Sequence, residues 1–261
     1  MKIISALHFE WDNMGDCFNR VKEDFALDGV ELSFSDGYSR PHCTREDIAA
    51  IRRANESAGL SLYSHIWEDI AQLGPEKGGE ALRHWAEISA RTGVKGLVIH
   101  GGSYPDREEG IARTRRTLEE VLPTFEEANV VLYLENHYAY NYHDCQELFS
   151  KVWEVERVFS LDSPSLRFCF DTGHAHLTEN SEDLLENLQK YLVHVHIADN
   201  HGVDDDHVPY KRGTVPWDII WKTLREINFN GTFCVEFPVR DDKDPFYHCY
   251  LDIDDFEKAK R

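Results

Sequence analysis

The sequence predicts an α/β fold, a (β/α)8 TIM barrel that occupies residues 1–261 as a single domain. Three observations predict it. Short apolar runs alternate with helical patterns eight times along the chain. Those runs are near-continuously apolar, as expected of parallel strands covered on both faces by crossover helices. The length, 261 residues, matches the roughly 250 that such barrels fill. An open doubly wound sheet would carry Gly-x-Gly-x-x-Gly after its first strand, and this chain has no such turn there.

Each element is expected in order. Ile3–His8 reads as the first strand and Asp16–Ala26 as the helix after it. Gly29–Ser33 is the second strand, after which Thr44 and Asp47 offer a capping box. Ile48, Ile51 and Ala54 then share one face of a helix that ends near Gly59. Leu60–His65 is the third strand, and Lys77–Thr92 a helix with Leu82, Trp85 and Ile88 at three-residue steps. Val94–His100, stopped by Gly101-Gly102, is the fourth strand. A long helix over Asp106–Ala128 leads to the fifth, Val130–Glu135. Asp144–Val158 is expected to be helical before the sixth, Leu166–Asp171. A short helix over Glu182–Lys190 precedes the seventh, Leu192–Ile197, and Trp217–Ile227 precedes the eighth, Gly231–Glu236. Trp217, Trp221 and Leu224 fall at helical spacing and read as core. The tail from Pro238 to Arg261 reads as a polar wrapping.

Composition narrows the function classes. Lys and Arg total 28 against 48 Asp and Glu, a net charge of −20. Such a surface disfavours nucleic acid, whose binding needs cations to neutralise phosphates, and anionic membranes equally. No apolar run reaches membrane-spanning length. The six cysteines are scattered without Cys-x-x-Cys, and His8 and Glu10 come too early for a signal peptide. A reduced, cytoplasmic protein is expected.

The chemistry is expected at the strand ends. In a parallel barrel all carboxyl ends converge on one face, where catalysis occurs. Reading them off gives His8, Glu31, His65, His100, Glu135, Asp171, His196 and Glu236. Burying so many carboxylates uncompensated costs several kcal/mol each. A divalent cation removes that cost, and mixed imidazole and carboxylate ligands suit Zn, Mn, Co or Fe.

Four motifs then resemble a known family. Leu134-Glu135-Asn136-His137, Phe170-Asp171-Thr172-Gly173-His174, His194-Val195-His196-Ile197-Ala198-Asp199-Asn200 and Val235-Glu236-Phe237 resemble the xylose isomerase-like sugar isomerase/epimerase superfamily, which also contains apurinic endonuclease IV. The resemblance implies that Glu135, Asp171, His196 and Glu236 bind one catalytic divalent metal (Mn, Zn, Co or Mg). His65, His100, His174, Asp205 and His207 match positions that hold further zinc ions in the endonuclease branch, which implies two or three ions. Three places depart from the branches. Asn136-His137-Tyr138 stands where the endonuclease has Thr-Ala-Gly, Gly101-Gly102 where it has Pro-Gly, and Gly202 where ketose 3-epimerases carry an arginine.

The implied activity is a metal-dependent isomerase or epimerase of a sugar or keto-sugar, with Glu135 and Glu236 as the acid–base pair around an enediolate. A sugar dehydratase or lyase would use the same intermediate, and phosphodiester hydrolysis of abasic DNA is the alternative class. Substrate contacts are expected from His8, Trp11, Glu31, His137, Tyr138 and Arg212. Asp204–Asp206 after the seventh strand and Asp241, Asp242 and Asp244 after the eighth outnumber Lys211, Arg212 and Arg240. Phosphate sites in these barrels use those loops, so an unphosphorylated carbohydrate is expected.

Overall fold

The computed structural model describes residues 1–7, 14–35, 43–238 and 243–259. Eight parallel strands close into a barrel in the order β1 (Lys2–Leu7), β11 (Thr232–Val235), β10 (Leu192–Ile197), β9 (Leu166–Asp171), β6 (Val131–Glu135), β4 (Gly96–Ile99), β3 (Ser61–Ile66) and β2 (Gly29–Ser35). Pairing of β1 with both β2 and β11 closes the ring and excludes the open sheet.

The two-residue period of a strand sorts the interior into layers. Tyr63, Tyr133, Cys169, His194 and Cys234 point inward at one level, and Tyr63, Tyr133, Cys169 and Cys234 pack there with Ile4 and Val98. Two residues further along each strand stand His65, Glu135, Asp171, His196 and Glu236. The apolar layer is thus a plug, and the ionisable layer is its ceiling at the carboxyl end.

The crossover helices follow their caps. Thr44 caps α2 (Arg45–Ala58) through a capping box with Asp47, and Gly59, at φ 65°, ends it. Asp106 caps α4 (Arg107–Ala128). Trp217, Trp221 and Leu224 of α8 (Trp217–Glu226) are buried, as their spacing requires.

Three expectations need correction. The stretch expected to be helical from Asp144 is instead β8 (Cys145–Glu147), and only Val152–Phe159 forms the helix α5. β8 joins β5 (Ser103–Tyr104) and β7 (Asn141–Tyr142) in a small antiparallel sheet. Pairing with a distant segment overrode a weak local helical pattern. The helix expected from Lys77 begins earlier, as α3 (Ile70–Thr92), with a non-helical Gly74 just before Pro75. That break hid its first turn from the periodicity. The tail is not a polar wrapping. It forms α9 (Asp244–Lys258), which buries Phe246, Cys249, Ile253 and Phe256. Phe256 meets Trp221 and Phe233 with ring centroids 5.8 and 5.7 Å apart. Its many acidic residues lower the mean hydropathy while the apolar stripe stays intact. Among the described residues no helix is long and apolar enough to cross a membrane.

Candidate metal centre and cavity

The four central motif residues come from four adjacent strands. Glu135 ends β6, Asp171 ends β9, His196 lies one residue from the end of β10, and Glu236 follows β11. Asp171 and His196 are directly paired in register. The Glu236 N–H donates to the Ile197 carbonyl at 3.0 Å, which continues the ladder past the strand. Donor atoms of Glu135, Asp171, His196 and Glu236 all lie within 4.8 Å of one another. His196 Nδ1 is 3.3 Å from Glu135 Oε1 and 2.9 Å from Glu236 Oε2.

The donor set fits a cation. Both Glu135 oxygens, Asp171 Oδ2 and His196 Nδ1 are buried without a well-formed hydrogen bond among the described residues. Unsatisfied buried polar atoms are rare and costly in native proteins, and here they converge on one point. Asp171 divides its work: Oδ1 accepts from the His174 N–H at 2.6 Å, capping α6 (Thr172–Leu177), while Oδ2 is left for the centre. A second group, His65, His100 and Glu135, meets the same 4.8 Å condition and shares Glu135 with the first.

Without a cation, protons offset the negative charge. Burial alone would raise the Glu135 pKa, but His196 and His100 hold it well below the usual carboxylate range. Burial raises Asp171, and Glu135 and Glu236 beside it add to the rise, so it reaches about 7 despite His174 and His196. Burial disfavours imidazolium at His196 and His174, yet the surrounding acidic groups hold both well above the ordinary histidine value. Burial wins at other histidines: it takes His65 down to about 4 and lowers His137 and His194 as well.

Asp205 and His207 join the site from the loop after β10. Asp205 Oδ2 is 3.2 Å from His174 Nε2 and 3.2 Å from His207 Nε2. His174 Nδ1 donates to the Asn136 carbonyl at 2.9 Å and His207 Nδ1 to the Glu236 carbonyl at 2.8 Å. Both rings therefore present Nε2 to the carboxylate. Burial opposes the charge on His207, but the bond to Asp205 pushes its pKa to about 10.

Above these residues lies a cavity of about 700 Å3, walled by His65, His100, Glu135, His174, Asp205, His207 and Glu236 and by Trp67, His137 and Tyr138. His137 and Tyr138, expected to contact substrate, do line it. Trp67, stacked on His65 at 4.8 Å, and Arg20 also line it and carry no motif that would single them out. Two expectations are not met. Arg212 is exposed and is not among the cavity's lining residues. Its turn is anchored instead by buried Tyr210, whose hydroxyl donates to Asp252 at 2.8 Å. Glu31 does not face the cavity either. β2 runs on to Ser35, and the register pairs Glu31 with Tyr63 and Ser33 with His65. Glu31 therefore belongs to the layer beneath the centre. His8, Trp11, Arg240, Asp241 and Asp242 lie outside the described residues.

Asn136 is a residue that the strand-end reading passed over. Its side chain donates to the Asp171 carbonyl at 3.1 Å and accepts from the Asp171 N–H at 2.8 Å, tying β6 to β9 where their carboxylates meet. Its signal was adjacency to Glu135, which cannot reveal a partner 35 residues away. Gly101-Gly102 also has a local cause. A side chain on Gly101 would strike the Phe149 ring, and Gly102, at φ 93°, lies against Asp69, whose carboxylate accepts from Ser103.

Several known proteins are similar to this chain. An uncharacterised protein of Methanocaldococcus jannaschii is 26% identical over 183 residues, 64% of this chain and 61% of that protein. D-psicose 3-epimerase of Enterocloster bolteae is 27% identical over 214 residues, 75% of this chain and 67% of the enzyme. The chain thus spans about two thirds or less of the length of these relatives. A solved D-tagatose 3-epimerase-like protein superposes with a TM-score of 0.80 at 20% identity, each chain covered in full. The xylose isomerase-like TIM barrel family model matches residues 20–248, so this chain belongs to that family.

Proposed function

We propose that this protein is a divalent-metal-dependent epimerase or isomerase of an unphosphorylated sugar or keto-sugar. The observation that carries the reading is the convergence of Glu135, Asp171, His196 and Glu236, with donor atoms within 4.8 Å, where Glu135 and Glu236 line the cavity. The D-psicose 3-epimerase relative supports the same class. When bound there, a cation such as Mn, Zn or Co supplies charge that acidifies the C–H between a carbonyl and a hydroxyl.

The chain's own residues do the rest. Asp171 and His196 hold the centre. Glu135 and Glu236 both line the cavity, so one can take the proton and the other return it to the opposite face or the adjacent carbon. The lining residues Trp67, His137 and Tyr138 offer aromatic faces to a sugar ring. In this reading His65, His100 and Glu135, whose donor atoms lie within 4.8 Å of one another, would hold a second ion. A second reading, phosphodiester hydrolysis, is favoured by one observation: Asp205 Oδ2 bridges His174 and His207 at 3.2 Å each, matching the residues expected to hold an additional ion. The net charge of −20 opposes it.

The test is a panel of free and phosphorylated ketoses in D2O with Mn2+- or Zn2+-loaded protein, followed by NMR. Deuterium entering next to the carbonyl of unphosphorylated members, with appearance of the epimer or isomer, is the expected result. Exchange with loss of water would identify a dehydratase. Exchange confined to phosphorylated members would overturn the substrate class, and incision of abasic-site DNA without sugar exchange would establish the hydrolase.

A further inference from the structure

We propose that Glu31 is the positioning residue of the centre: from the layer below, its carboxylate grips the His196 ring so that Nδ1 faces Glu135, Asp171 and Glu236. This inference rests on the cation reading above, but its evidence is the geometry beneath the site. His196 Nε2 is 3.1 Å from Glu31 Oε1 and 3.3 Å from Oε2. His194 Nε2, two residues earlier on the same strand, is 3.0 Å from Glu31 Oε2. The His194 ring is flanked by Tyr63 and Tyr133, each with its centroid 5.4 Å away. A line of contacts therefore runs down the barrel axis from the centre through His196 and Glu31 to a histidine wedged in the plug.

The chemistry of that line assigns the roles. Glu31 is 1% exposed, and an isolated carboxylate at such a depth is strongly disfavoured. The His196 hydrogen bond, with the His194 ring close beside it, offsets this. A carboxylate there accepts, so the His196 nitrogen that faces it is the one that carries the proton. His196 then donates Nε2–H downward and keeps Nδ1 for the ligand set, because a ligating histidine is oriented by what its other nitrogen donates to. The His194 ring lies against Glu31 in turn. The same interior also brings Cys234 within 4.8 Å of Glu31, His194 and His196, which offers the rival reading of a buried metal site. Cys234 itself packs in the apolar cluster with Ile4, Tyr63, Val98, Tyr133 and Cys169. The His196–Glu31 hydrogen bond makes this interior carboxylate a support for the ring.

The experiment compares the wild type with Glu31→Gln, which keeps the shape and removes the charge. Zn2+ affinity, measured by chelator competition, should fall by about 10–100-fold. KM for the sugar and kcat at saturating metal should each stay within a few-fold. Affinity within about twofold of wild type in a folded variant would overturn the proposal, as would unchanged affinity with a raised KM, which would place Glu31 against substrate. A thiolate charge-transfer band in the Co2+-loaded wild type would establish the buried metal site instead and overturn it as well. Ring-15N spectra of the metal-free wild type give a readout that needs neither metal nor the variant. They should show a His196 Nε2–H protected from exchange and shifted as for a carboxylate-bound proton, and an exchanging, averaged ring would overturn the assignment. Absence of cation binding by wild-type protein would refute the metal reading, leaving this NMR signal to decide whether Glu31 holds the ring.

Discussion

His196 Nδ1 stands 2.9 Å from Glu236 Oε2, across the neighbouring strands β10 and β11. Both atoms belong to the group whose donors lie within 4.8 Å of one another, so one cation could be held by both. Burial would raise the Glu236 pKa, but His196 keeps it below the ordinary value, so the carboxylate is available as a base.

Glu236→Gln preserves the side-chain volume and abolishes the base. Turnover should fall by about 10²–10⁴-fold, the usual contribution of a positioned general base, with weaker metal binding besides. Steady-state kinetics and elemental analysis on the same preparation check both. Full turnover with full metal content would remove Glu236 from the acid–base pair.

Asn136→Ala leaves the Asp171 N–H and carbonyl without their side-chain partner inside the barrel. Each orphaned buried group costs about 1–3 kcal/mol, so the urea midpoint should drop clearly. Because Asp171 loses its tether, metal affinity should fall too. A variant as stable as wild type would show that water replaces the amide.

Arg107 Nη1 is 2.5 Å from Glu154 Oε1, and the Glu154 side chain is wholly buried. Arg107→Met strands that carboxylate, a loss of about 3–5 kcal/mol for a broken buried pair. Adding Glu154→Gln should recover part of it. Equal stability of the single and double variants in chemical unfolding would refute the coupling.

Metal binding should release protons. Asp171 sits at about 7, raised by burial and then by Glu135 and Glu236, while His196 and His174 are held well above the ordinary histidine range. Ligands must be deprotonated to bind, so protons compete and affinity strengthens as pH rises through about 7. Calorimetric Mn2+ titrations in two buffers of different ionisation enthalpy should show net proton release and an affinity at about pH 6 at least tenfold below that at about pH 8. Affinity flat across that range would mean the ligands are already free of protons.

What the sequence determined by itself was the barrel and the cluster of ionisable side chains at its strand ends. Eight apolar runs with helical crossovers admit few topologies, and Glu135, Asp171, His196 and Glu236 each sit where a local pattern stops, so their place at the mouth is readable from neighbours in the chain. Tertiary structure alone decided the level of each residue inside. Glu31 looked like another strand-end group until closure of the barrel fixed its register against Tyr63, which dropped it one layer and turned it from a cavity residue into a support for His196. The same holds for Asn136, whose partner is 35 residues away, and for the acidic tail, whose stripe gains meaning only beside Trp221 and Phe233. A strand's period says which side chains share a face. Only the stagger between strands says which of them meet.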